Sequence, residues 1–333
     1  MRRRRFLMLA ASAVAAPAIL GGRRRAEATE GPFRVTWFEA KGLRRSRDIT
    51  ASADGQTLWV CGQGNGVLGR FDPRDAGMRI VQLGDGSAPH GVVTGPDKAA
   101  WVTDGGQNAI ARVDNDSHKV ELFPLPAAYG RANLNTGVFD QAGIYWFTGQ
   151  NGVLGRLDPK TGALKAWEAP RGRGPYGITR TPQGEVWYVS LAGNHLARLD
   201  RDSLQSEIVE PPTPGQGARR VWSDSRGRLW ISEWNSGNVS AYDPASRSWR
   251  MWKLPGERPR AYSVYVDARD KVWLTDFSAN AIVRFDPVME QFTSFPSDRE
   301  GANVRQMDGR PNEAWGGESG TNRLVRIETF GQA

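Results

Sequence analysis

The chain has 333 residues, of which 39% are hydrophobic and 24% charged, with 39 Gly, 13 Trp and a single cysteine. That composition describes a soluble folded protein of short strands and tight turns, and it excludes a disordered chain, an internal disulfide and a cysteine-rich zinc site. The net charge of +8 resembles a nucleic-acid signal, but seven of the 44 Lys and Arg lie in the first 28 residues beside one acid, Glu27, which leaves 37 basic against 35 acidic residues beyond them, so nucleic acid is not an expected partner.

The leader comes first in chain order. Arg2 to Arg5 form a charged start, Phe6 to Leu20 a short apolar run, and Ala26-Glu27-Ala28 a small-x-small cleavage pattern. Arg3-Arg4-Arg5-Phe6-Leu7 fits the twin-arginine pattern R-R-x-F-L. The apolar run is short for a membrane span. Residues 1–28 are therefore read as an export signal of twin-arginine type. The mature protein is expected to start near Thr29, to be periplasmic or secreted, and to keep no membrane span.

A strand carrying Trp then recurs at Trp59, Trp101, Trp146, Trp187, Trp230, Trp273 and Trp315, at intervals of 41 to 45 residues. A second strand follows each Trp, as in NGVLGRFDP (65–73), NAIARVDND (108–116) and NGVLGRLDP (151–159). A third follows in six repeats, and a further strand precedes the Trp by about eleven residues, as in PHGVVT (89–94) and AYSVYV (261–266). Four strands per repeat, with Gly, Pro, Asn and Asp at the junctions, are a propeller blade. The seventh repeat lacks its fourth strand, and RVTWFEA (34–40) supplies it from the other end of the chain. The expected fold is all-β: a single seven-bladed β-propeller over residues 29–333, its last blade closed by the N-terminal strand. The recurrent Trp is read as packing between blades.

Two positions diverge where a structural repeat should look alike. Eleven residues before each Trp stand Asp48, His90, Asn135, Tyr176, Arg219, Tyr262 and Val304; three residues after it stand Gly62, Asp104, Gly149, Ser190, Glu233, Asp276 and Glu318. Antiparallel pairing puts both positions at one mouth of the central channel. Asp104, Glu233, Asp276 and Glu318 are expected to converge there with Arg219, Arg220, Arg305, His90 and the two Tyr. Such a ring offers oxygen ligands to a hard divalent cation, Mg2+ or Ca2+. The same residues also suit Arg–carboxylate pairing without a ligand. His118 in a hairpin turn and His195 on an outer strand are read as structural. No Ser-His-Asp or Cys-His arrangement is present in the sequence. The chemistry left is acid–base work by Tyr, His or carboxylate, with Arg or a metal stabilising an oxyanion.

The blade formulas PHGV…AAWVTD…NAIARVD (89–114) and PYGIT…EVWYVS…NHLARLD (175–200) resemble those of the streptogramin (virginiamycin B) lyase family along the whole mature chain. The resemblance implies a seven-bladed propeller that opens a cyclic depsipeptide by elimination at its ester with the help of magnesium. In that family the last blade carries a Glu-x-His on its first strand and a second Glu after the Trp. Glu318 matches the second Glu, whereas Ala302-Asn303-Val304 stand at the Glu-x-His and Tyr262 at a substrate-contacting His of the blade before.

The resulting expectation is an exported, monomeric, metal-assisted lyase acting on an ester- or lactone-type, or glycosidic, small molecule at the channel mouth. Tyr262, Arg219, Arg305 and His90 are the catalytic candidates, and Glu318, Asp276, Glu233 and Asp104 the metal ligands. The alternative is a non-catalytic propeller that binds or scaffolds an exported protein partner.

Overall fold

The computed structural model describes residues 27–30 and 32–331. The export signal expected over residues 1–28 lies outside them, apart from the backbone of Glu27 and Ala28. Seven antiparallel sheets surround a central channel. Their inner strands are Ser46–Ala51, Pro89–Thr94, Leu134–Phe139, Pro175–Arg180, Ala218–Ser223, Ala261–Val266 and Val304–Arg310. Blades 1 to 6 have four strands each, in simple chain order from the channel outward. Blade 7 takes its fourth strand, Phe33–Glu39, from the N-terminus, paired antiparallel from Phe33↔Thr329 to Glu39↔Arg323. This closure ties the two ends of the chain together within one blade. A fifth strand, Glu27–Glu30, adds to that blade's outer edge, which the sequence pattern did not indicate. Among the described residues no helix is long and apolar enough to cross a membrane.

Each recurrent Trp is buried between blades, at 0 to 3% exposure. Six of the seven indole N–H groups donate to a carboxylate of the preceding turn, among them Trp146 to Asp140 at 3.0 Å, Trp230 to Asp224 at 3.0 Å and Trp273 to Asp267 at 2.9 Å. An arginine guanidinium lies over most of these rings, as Arg70 does over Trp59 at 5.3 Å and Arg156 over Trp146 at 5.7 Å. The cross-strand register explains the repetition: Trp59 faces Arg70, Trp101 faces Arg112 and Trp146 faces Arg156. A Trp–carboxylate–Arg unit thus recurs through most blades, and the apolar clusters between blades hold the ring together.

Candidate functional site

Every inner strand carries a bulge near its start. In blade 5 the pairing runs Ala218↔Glu233 and then Val221↔Ile231, so one residue is extra, and the same shift occurs in the other six blades. A bulge re-aims the side chains beside it. Here it turns the second residue of each inner strand toward the channel mouth. Those residues are Arg47, His90, Asn135, Tyr176, Arg219, Tyr262 and Arg305.

A hydroxyl two residues after the Trp fixes this ring in several blades. Ser232 Oγ accepts from the bulged N–H of Arg220 at 3.1 Å and donates to the carbonyl of Tyr262 in the next blade at 2.7 Å. Thr103 does the same between Gly91 N–H, at 2.9 Å, and the Asn135 carbonyl, at 2.6 Å. Gly177 permits a close approach of neighbouring inner strands, since a Cβ there would lie 2.7 Å from the Arg220 Cα.

Two members of the ring differ from the sequence expectation. A fixed offset of eleven from the Trp selected Asp48 and Val304. The turn before Trp59 is one residue longer than in blades 2 to 6 and that before Trp315 effectively one shorter, so Arg47 and Arg305 occupy the ring instead. Arg305 was already a candidate; Arg47 was missed. Aligning the strands on their small or apolar first residues (Ser46, Pro89, Ala218, Ala261, Val304) rather than on the Trp would have found it. Asp48 lies one step deeper, where it accepts two hydrogen bonds from Arg220, at 2.9 and 3.2 Å. Arg220 also donates to Thr136 Oγ at 2.6 Å. This buried bridge closes the channel below the mouth. Beyond it, the channel opens toward the opposite face as a cavity of about 600 Å3, lined in part by Arg220, Asp48, Trp222 and Asp308.

At the mouth the chemistry centres on Tyr262, which is 1% exposed. Its hydroxyl is 2.5 Å from that of Tyr176, 3.3 Å from Arg47 Nη2 and 3.4 Å from Arg305 Nη1. The Arg219 guanidinium lies 4.7 Å from the Tyr262 ring centre and 4.3 Å from that of Trp234, and it donates to the Tyr176 hydroxyl at 3.2 Å. Phe277 stacks on Tyr262 at 4.8 Å with rings nearly parallel. Burial alone would raise the Tyr262 pKa, but Arg47, Arg220 and Arg305 together with the Tyr176 hydrogen bond bring it down to about 7. Burial and the neighbouring Tyr262 charge push Tyr176 the other way. The two phenols therefore differ in acidity although they share a hydrogen bond. His90, 3% exposed, accepts through Nε2 from Arg47, and burial with the Arg47 and Arg220 charges holds it well below the usual histidine range, so it stays neutral.

The four carboxylates do not converge, which corrects the metal-ring expectation. Each ends its strand and folds back on local donors. Asp104 accepts from Ser87 Oγ and from the backbone N–H of Ala88, Gly106 and Gln107. Asp276 accepts from the N–H of Arg260 and Ser278, both at 2.9 Å. Glu233 accepts from Ser236. Glu318 is saturated by Trp37, Ser297, Thr321 and Arg323. Asp276 and Glu318 share only a crevice of about 20 Å3 between blades 6 and 7. Among the described residues no group of three or more His, Cys, Asp and Glu is placed to hold a metal ion. The residues present thus do not fit a Mg2+ or Ca2+ ion. His118 sits in a turn and His195 is buried against Tyr188, away from the mouth.

Comparison with known proteins agrees with this architecture. Among solved structures, virginiamycin B lyase from Staphylococcus aureus superposes with a TM-score of 0.82 at 18% identity, over 90% of this chain and all of that one. A streptogramin B lyase structure gives 0.81 at 17% identity, over 89% of this chain and 98% of that one. A more distant likeness is YCF48 bound to D1 peptide, with a TM-score of 0.70 at 15% identity, over 93% of this chain and all of that one. Such identities speak for the fold alone. No curated protein matches the sequence significantly. The model of the virginiamycin B lyase family matches residues 29–258, more than two thirds of the sequence. The chain is accordingly a member of the virginiamycin B lyase family.

Proposed function

We propose that this protein is an exported carbon–oxygen lyase that acts on an ester-, lactone- or glycoside-type small molecule at the channel mouth, with Tyr262 as its base. The observation that carries the reading is the setting of the Tyr262 hydroxyl, within 3.4 Å of two guanidinium groups and 2.5 Å of a second phenol. A phenolate held by cations at neutral pH can take a proton from carbon α to a carbonyl. The electron pair of that C–H bond becomes a C=C bond, and the C–O bond on the next carbon breaks. Charge grows on the carbonyl oxygen, where Arg219 and Arg305 supply fixed donors. Tyr176, more acid-retaining, is placed to give a proton to the departing oxygen and recover it from Tyr262. Two groups of one kind whose surroundings drive their acidities apart are the pattern expected of a paired acid and base. Family membership favours an enzyme over a scaffold. The twin-arginine leader supports export, and cell fractionation of the full-length chain with Arg3 and Arg4 changed to Lys tests it: retention in the cytoplasm is expected.

Mass spectrometry of products tests the reaction class. Elimination conserves the summed mass of the substrate, whereas hydrolysis adds one water. Products carrying an added water, or full turnover by Tyr262→Phe, would overturn the assignment.

A further inference from the structure

We propose that the substrate is a 4-linked uronate oligosaccharide or polysaccharide, so that the carbonyl beside the reacting carbon is a free carboxylate and the bond broken is the glycosidic C4–O bond. This inference rests on the lyase reading above and names its substrate class. It starts from charge. Arg47, Arg219, Arg220 and Arg305 meet around Tyr262 and Tyr176, and the carboxylate among them, Asp48, is bound to Arg220. Among the described residues no carboxylate pairs with Arg219 or Arg305; their partners are Tyr176, Tyr262, Ser319 and aromatic faces. An aromatic face steadies a cation without cancelling its charge. Like charges held close in a site shielded from water repel one another. A cluster built this way is complementary to an anion.

A neutral ester would need less. One or two hydrogen-bond donors suffice for its single oxyanion. Removing a proton beside a carboxylate creates a second negative charge on the same group, and several uncompensated guanidiniums match that dianion, with bidentate geometry available.

The second observation is the face around the mouth. The loops that lead into the inner strands carry nine Lys and Arg against five acids, although residues beyond the leader are nearly balanced. Arg44, Arg45, Arg131, Arg173, Arg258 and Arg260 are exposed there and pair with no carboxylate among the described residues. The turns between second and third strands on the same face carry no charge at all. A field spread over a face suits a ligand with repeating negative charge rather than one anion. Uronate chains repeat a carboxylate on every sugar, and a 4-linked uronate places a C–O bond next to the carbon that bears the acidic C5–H.

The step balances without a co-reactant. Tyr262 phenolate takes H5, the C5–H pair forms C4=C5, the C4–O bond breaks, and the departing oxygen takes a proton from Tyr176, which recovers one from Tyr262. The test uses the leaderless protein with oligogalacturonate and oligomannuronate, their methyl esters and a neutral oligosaccharide. Binding is read by calorimetry and turnover by the ultraviolet absorbance of the conjugated product. Free acids are expected to bind and react, methyl esters to bind about 100-fold more weakly, and Arg219→Gln and Arg305→Gln each to lower affinity about 10- to 100-fold at unchanged thermal midpoint. Binding of the free acids without turnover upholds the substrate class and sinks the lyase reading. Turnover of neutral esters with no binding of any uronate does the reverse. Methyl esters that perform as well as free acids also overturn the inference.

Discussion

The two rims of the propeller are built on opposite principles. At the rim where the recurrent Trp lie, the blades repeat one another: in six of the seven the indole donates to a turn carboxylate, and in most an arginine covers the ring, as with Trp230, Asp224 and Arg228. Most charges there find an opposite charge inside the blade that bears them, as Arg70 does in Asp54, Arg112 in Asp97 and Arg228 in Asp224. At the mouth the equivalent positions vary from blade to blade, and among the described residues Asp48 pairs with Arg220 and Arg47 while Arg219 and Arg305 pair with no carboxylate. Repetition marks what a blade needs in order to stack. Divergence, with charge left over, marks what the whole ring does once.

The sharpest way to break this comparison is at Tyr262. Tyr262→Phe removes one oxygen from the mouth and leaves the stack on Phe277 intact. Loss of a positioned base is worth about 100- to 10,000-fold in rate. Turnover is expected to fall by about 1,000-fold with little change in the unfolding midpoint. A variant that loses both equally would make the mouth another structural rim.

Glu318→Ala should do the opposite. Sequence alone placed Glu318 in a metal ring, where its loss would silence activity and spare the fold. In the structure its carboxylate, 1% exposed, neutralises Arg323, 3% exposed, and receives Trp37 of the closing strand. Arg323 keeps Asp298 as a second partner, so the loss of Glu318 is expected to cost about 2 kcal/mol, the range for a hydrogen bond to a charged group. Denaturant unfolding is expected to show that loss, and the closure of blade 7 to open first. Asp224→Ala makes the same point at the Trp rim. It strands the Trp230 indole and Arg228, and about 2 kcal/mol of destabilisation is expected with normal kinetics of the folded fraction.

The pH dependence sharpens the mouth further. The Tyr262 phenol is held near 7 in the folded chain against about 10 when exposed. Turnover should therefore rise as pH is raised through about 7 and then level off. Ultraviolet difference titration should show a phenolate forming in that range, absent in Tyr262→Phe. Because the folded state releases this proton more readily than the unfolded state, the ionisation adds stability as pH rises from about 7 to about 10, and that contribution is lost as pH falls through 7.

How much of this was legible in the sequence follows from the same contrast. The seven blades and the closing strand were legible because a buried Trp at a fixed place in every repeat leaves a period that composition cannot hide. The mouth positions of Tyr262, Arg219 and His90 were legible because they break that period at the common offset, whereas Arg305 lies one residue off it. Arg47 was not, since one residue more in the turn before Trp59 moves the ring position off the common offset. The acids misled for a different reason. Asp104, Glu233, Asp276 and Glu318 do lie at the mouth end of their strands, but sequence gives no direction to a side chain at a strand terminus. Nearby N–H and hydroxyl groups of the following turn claim each of them, as short acidic side chains at turns commonly allow.

The smallest effect is expected on the outer surface, and it bears on which arginines matter. Arg198 bridges Glu185 and Glu207 at 2.9 and 2.7 Å and is nearly half exposed. By geometry it is a better ion pair than anything Arg219 makes. Yet exposed pairs contribute about 0.2 to 1 kcal/mol, because water already solvates both charges and salt screens them. Arg198→Ala should therefore shift stability by about 0.5 kcal/mol, less at high salt, and leave turnover untouched. Arg219, which among the described residues has no acid to pair with, should matter far more to binding than to folding. A guanidinium that is satisfied within the fold has little left to offer a ligand, whereas one held in place by Trp234 and Tyr262 and left uncancelled has its whole charge to offer.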